Sequence, residues 1–109
     1  MARAQVGHTR FLSLNVTGNG AIVSAPGVGN SIVVTGVFMI ATGATPTIRF
    51  DDASGSMTSI LSPTAGVPIM MDGDRANPCF ACNTNEALSI SNFAGTSFNG
   101  WIRYMIVNG

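Results

Sequence analysis

SIVVTGVFMIA, at residues 31–41, is the longest near-continuous apolar run in the chain. Val, Ile and Phe dominate it, and β-branched and aromatic side chains suit a pleated, packed surface. At a period of two, Ile32, Val34, Gly36, Phe38 and Ile40 line one face. Val33, Thr35, Val37 and Met39 line the other. A strand with one wet face alternates apolar and polar residues. This run is apolar on both faces, so it predicts a central strand covered on both sides. One cover is the domain core; the other is a second layer or another subunit. Gly36 and the β-branched residues argue against a helix.

The rest of the chain reads as short strands between turns. Residues 11–16 alternate, with Leu12, Leu14 and Val16 on one face, and Asn19-Gly20 is a turn signal. Residues 21–25 form a short strand. Residues 47–51 alternate with Ile48 and Phe50 inward and Thr47, Arg49 and Asp51 outward. Residues 57–61 and 67–71 read as two further strands. Pro68 confines the second to a sheet edge or a strand start. Residues 78–82 are short and extended, and 87–91 place Leu88 and Ile90 inward. The last strand, 101–107, is again two-faced: Trp101, Arg103, Met105 and Val107 against Ile102, Tyr104 and Ile106. About eight short strands without helical periodicity predict an all-β antiparallel sandwich or jelly roll. The expected organisation is an N-terminal arm over 1–10 and a single β-sandwich domain over 11–109.

Composition narrows the function classes. In 109 residues, charged side chains make up 9%, against about 25% in ordinary soluble domains. There is no lysine, and the formal net charge is zero. Nothing therefore favours long-range attraction to nucleic acid or to an anionic membrane. The longest apolar run is about half a membrane span. Low charge combined with a two-faced apolar strand points to a surface covered by partners.

Chemistry-bearing constellations are sparse. Cys79-Phe80-Ala81-Cys82 has CxxC spacing, but a structural zinc site needs about four ligands and no βαβ context suggests redox chemistry. Buried free thiols, a disulfide across a turn and a metal site all stay open. An extended segment, which points the two side chains to opposite faces, favours free thiols. Asp72-Gly73-Asp74 opens like a calcium loop, but Ala76, Asn77 and the missing late glutamate break the pattern. It reads as a solvated turn, as does Asp51-Asp52. With one histidine, near the N-terminus, and no nucleophile elbow, no enzymatic activity, metal or cofactor is expected. Trp101 and Tyr104 lie on opposite faces of one strand, which suits packing better than a sugar platform. Glu86, at the start of a strand, is expected to accept loop amides or to pair with an arginine.

Asn77-Pro78, the aromatic Phe80, then TNEALSI at 84–90 and the closing GWIRY at 100–104 resemble small β-sandwich virion proteins of tailed phages. These include the decoration, or cement, proteins of the capsid surface. The upstream run at 31–41 followed by 47–50 fits the same layout, so the resemblance covers roughly the last 80 residues. It implies a structural protein on the outside of a phage head, made in the host cytoplasm. Its implied partners are the major capsid protein and further copies of itself, with a trimer expected. A receptor- or carbohydrate-binding module of a tail fibre or tip is the alternative. The expected oligomer and capsid contacts are Arg3, Arg10, Phe11, Val33, Val37, Met39, Trp101, Arg103 and Met105. Asn77, Pro78, Phe80, Glu86 and Tyr104 are the expected structural positions.

Overall fold

A computed structural model describes residues 8–42, 47–92 and 97–108. Its strands are β1 (Arg10–Val16), β2 (Gly20–Val23), β3 (Asn30–Thr42), β4 (Ile48–Asp52), β5 (Gly55–Ser56), β6 (Ile69–Asp72), β7 (Phe80–Ala81), β8 (Leu88–Asn92) and β9 (Ser97–Asn108). They form two antiparallel sheets. The larger runs β1-β9-β3-β6, with β7 also on β3, and the smaller runs β2-β8-β4-β5. Most connections cross between the sheets, and the strand order is that of a jelly roll. The expected all-β sandwich is therefore the observed fold.

The core lies between the sheets. Leu14, Ile32, Val34, Phe98 and Ile102 of the larger sheet face Ile48, Phe50, Leu88 and Ile90 of the smaller one, all buried. Phe80 of β7 and Phe50 of β4 meet at 5.0 Å between ring centroids, tying the two layers together. Leu12, Leu14 and Val16 face inward as expected, as do Leu88 and Ile90. Pro68 immediately precedes β6, an edge strand, so its missing N–H costs no ladder bond. Residues 57–61 form no strand; Leu61 makes an isolated bridge to Ile48. Arg10 pairs opposite Tyr104 as the first residue of β1, not as part of an arm.

β3 is the central strand, flanked by β9 on one side and by β6 and β7 on the other. Its alternation is not continuous. Val34 lies opposite Tyr104, but Gly36 lies opposite Arg103. Thr35 is thus an extra residue, a β-bulge, and every side chain beyond it changes face. Ile32 and Val34 point into the core before the bulge; Val37, Met39 and Ala41 do so after it, each at most 1% exposed. This corrects the sequence reading of Val37 and Met39 as outer-face contacts. Phe38 and Ile40 take that face instead.

Arg103 fixes the bulge. Its Nη2 donates to the Thr35 carbonyl at 2.6 Å, to Asp72 Oδ1 at 2.6 Å and to the Gly73 carbonyl at 3.2 Å. Its Nε donates to Thr35 Oγ1 at 3.2 Å, and Thr35 Oγ1 donates to the Arg103 carbonyl at 3.3 Å. The guanidinium lies flat over Gly36, where a Cβ would stand 2.9 Å from Cζ. One side chain thereby spans β9, β3 and the end of β6. Gly100 is needed for a similar reason: a Cβ there would stand 1.9 Å from the Phe38 carbonyl oxygen. Gly100→Ala should force β9 away from β3 and destabilise the fold by about 3 kcal/mol, the upper range for overpacking. Urea unfolding checks this, and an unchanged midpoint would contradict it.

Candidate functional site

The outer faces of the two sheets differ in chemistry. On the smaller sheet the outer positions are Ala21, Ser89, Ser91, Arg49 and Asp51. Asp51 accepts from Arg49 Nε at 2.6 Å and from Ser91 Oγ at 2.5 Å, so this face is a closed polar network. The sequence reading of Asp51 as a turn residue is corrected: it is a buried strand residue. The larger sheet turns apolar groups outward. Ser13, Trp101, Phe38 and Met70 form one row across four of its five strands. Phe11, Arg103, Gly36 and Asp72 form the next.

The rings on this face touch one another. Phe11 meets Trp101 edge-on, with centroids 5.8 Å apart at 65°. Phe38 stacks beside Trp101 at 6.1 Å and 19°. Such pairs are worth about 0.5–1.5 kcal/mol each beyond their buried area. Even so, Phe11 is 67% exposed, Met70 71% and Trp101 37%. Arg103 contributes little net charge here, because Asp72 neutralises it. The face thus carries no net charge and exposes a cluster of apolar rings and Met70.

Of the expected contact residues, Phe11 and Trp101 lie exposed on this face. Met105 and Val33 pair across β9 and β3 on the same face, Met105 half-buried and Val33 buried. Arg103 lies on the expected face but serves as the clamp on Thr35. Arg10 is half-buried in β1, and Arg3 lies outside the described residues. Phe38, Ile40 and Met70 also turn to this face, which the sequence reading did not expect. Gly36 in mid-strand was the available signal for the first two, since an interior strand glycine often marks a bulge.

The expected structural residues differ in their surroundings. Phe80 is buried, and Tyr104 packs partly buried against the core. Asn77 and Pro78 are exposed, in the turn before β7. There the Asn77 N–H donates to Asp74 Oδ1 at 2.8 Å and the Asp74 N–H to the Asn77 carbonyl at 3.1 Å. Glu86 precedes β8 and accepts from the Ser54 N–H at 3.0 Å and from Ser54 Oγ at 2.7 Å. Asp52 accepts from the N–H groups of Ser54, Gly55 and Asn83 at 2.9–3.1 Å. A cleft of about 380 Å³ opens beside them, lined by Asp52, Ser54, Met57 and Phe80 among others. The carboxylate that lines it, Asp52, has both oxygens bonded by backbone N–H groups, Oδ1 by those of Ser54 and Gly55 and Oδ2 by that of Asn83. Among the described residues no three metal-ligating side chains come together.

Comparison with protein-family models, with curated proteins and with solved structures returns no match. The expected phage resemblance therefore rests on the sequence alone, and the site rests on its own geometry.

Both cysteines are free, Cys82 in the core and Cys79 half-buried beside it. Burial pushes the Cys82 thiol up to about 12, and the Asp52 and Glu86 carboxylates add to the rise. Burial also raises Cys79, against the pull of the Arg103 guanidinium. A thiolate is the reactive form, so neither thiol is poised for chemistry at neutral pH. Linkage fixes the sign of the pH effect. Above the ordinary thiol value of 9.0 the unfolded chain loses the Cys82 proton, while the folded chain keeps it up to about 12. Stability is therefore intact below 9 and falls as pH rises through that window, by up to about 1.4 kcal/mol per pH unit. Urea unfolding across this range should show the fall in the wild type and a shallower one in Cys82→Ala. Parallel profiles would contradict the assignment.

Proposed function

We propose that this chain is a structural virion protein that binds the outside of an assembled phage head and stabilises it. It docks through the outer face of its larger sheet. The observation that carries this reading is the contrast between the two outer faces: a closed polar network on the smaller sheet, and the Phe11, Trp101, Phe38 and Met70 surface on the larger. A protein lying between a shell and water needs one face of each kind. The motifs shared with tailed-phage decoration proteins and the jelly-roll strand order, used in capsid as well as lectin domains, support it. Fold alone does not, because one fold hosts many functions.

The mechanism is linkage. A protein that binds the mature shell better than free subunits shifts the equilibrium toward the intact particle. Contacts repeated at lattice spacing add avidity without any single tight site. Trp101 and its neighbouring rings supply the buried centre typical of interface hot spots. Binding through apolar burial is only weakly screened by salt. A second reading, a carbohydrate-binding tail-tip module, is favoured by the amides of Asn15 and Asn99, which pair on the same face beside the aromatic row.

Mixing the protein with undecorated heads, pelleting them and counting bound copies tests the first reading. Co-sedimentation should change little between low and high salt and should raise the heat resistance of the heads. Trp101→Ser or Met70→Asp should weaken it about 30-fold, the effect of losing one hot-spot side chain, with the far-UV spectrum unchanged. No co-sedimentation at either salt, together with a glycan-array signal lost in Trp101→Ser, would favour the tail-tip reading.

A further inference from the structure

The two sheets have four edges, and three are guarded in the ways that natural sheets use against stray pairing. β6 is four residues long, follows Pro68 and ends at Asp72-Gly73. β5 has two residues. β2 has four, with a register shift between Ala21 and Val23. The fourth edge is β1, and it has no such guard. It runs seven residues, RFLSLNV, without lysine, proline or bulge. Its register on β9 is unbroken from Arg10 opposite Tyr104 to Val16 opposite Phe98. Among the described residues no strand pairs with its other side.

We propose that β1 of one copy pairs antiparallel with β1 of a second copy, about a two-fold axis through Ser13. The occupant is another copy of this chain because β1 complements itself. With Ser13 opposite Ser13, Leu12 of each strand lies opposite Leu14 of the other. Both leucines face the core side, Leu12 half-buried and Leu14 buried, so the pairing extends one apolar layer into the next. On the outer side Phe11 falls opposite Asn15, and both are exposed. Arg10 is the only charged residue of the strand. The two-fold axis sets the two Arg10 residues at opposite ends of the pair, about 20 Å apart at 3.4 Å per residue, where they do not oppose association.

The result is one continuous sheet through both copies, with their two aromatic rows on the same side. This pairing stands apart from the capsid reading and differs from the trimer implied by the phage resemblance, since an isologous contact closes at two copies.

Light scattering on the purified full chain should give twice the 11.2 kDa chain mass. Ser13→Glu changes an exposed side chain and sets like charges directly opposite one another on the axis. It should yield a monomer with the wild-type far-UV spectrum and a melting temperature that no longer depends on protein concentration, as should Ser13→Lys, and mixing the two should restore the dimer. Hydrogen exchange gives a readout that needs no variant: the β1 amides facing away from β9 should exchange slowly, and faster on dilution. A wild-type monomer, a trimer, a dimer that Ser13→Glu leaves intact, a mixture that stays monomeric, or fast exchange at those amides would each overturn the proposal.

Discussion

Arg103 reaches from β9 across Gly36 to the end of β6 and holds the Thr35 carbonyl on the way. The two sides of the ion pair differ greatly in exposure: the Asp72 side chain is 88% exposed and that of Arg103 25%. A pair so open to water contributes little by itself. The bonds to the carbonyls of Thr35 and Gly73 matter more, because a bulge leaves backbone groups outside the ladder and each needs a partner. For the Thr35 carbonyl the Gly73 N–H supplies one partner at 2.9 Å, and Arg103 supplies a second from above the sheet, in space that only a glycine at position 36 leaves open. The bulge also lies where β3 exchanges one neighbour for another. β7 pairs with Val33 and Val34, and β6 pairs from Gly36, opposite Asp72, to Met39, opposite Ile69.

The chemistry of both faces of the larger sheet follows from this one residue. With Thr35 extra, Val37, Met39 and Ala41 continue the core begun by Ile32 and Val34. Fully burying a side chain of the size of Val37 or Met39 is worth about 1.5–3 kcal/mol, enough to offset a locally broken ladder. The same shift sends Phe38 outward beside Trp101 and so completes the aromatic row. The stabilising core and the candidate docking face are thus two consequences of one change in parity. Gly100 lets the two long strands approach closely at the row's centre.

Much of this was legible in the sequence. The β-class, the central position of 31–41, the two-faced last strand and the inward sets of β1, β4 and β8 follow from period-two patterning and turn residues. The outward placement of Phe11 and Trp101 was legible because alternation is reliable over strands without interruption. Val37 and Met39 were assigned to the wrong face because both faces of β3 are apolar, so hydrophobicity offers no mark of where the period slips. Gly36 was that mark, and its meaning depends on Arg103, which is 67 positions away in the chain. Met70 was hidden because the strand that carries it takes its direction from β3. Glu86 was legible as an acceptor of loop amides, but its partner, Ser54, comes from a different hairpin.

Inter-strand contacts measured by NMR on the labelled protein test the bulge most directly. The account predicts backbone proton contacts that place Val34 opposite Tyr104, Gly36 opposite Arg103 and Phe38 opposite Trp101. An uninterrupted register, with Thr35 opposite Arg103 and Val37 opposite Trp101, would contradict it.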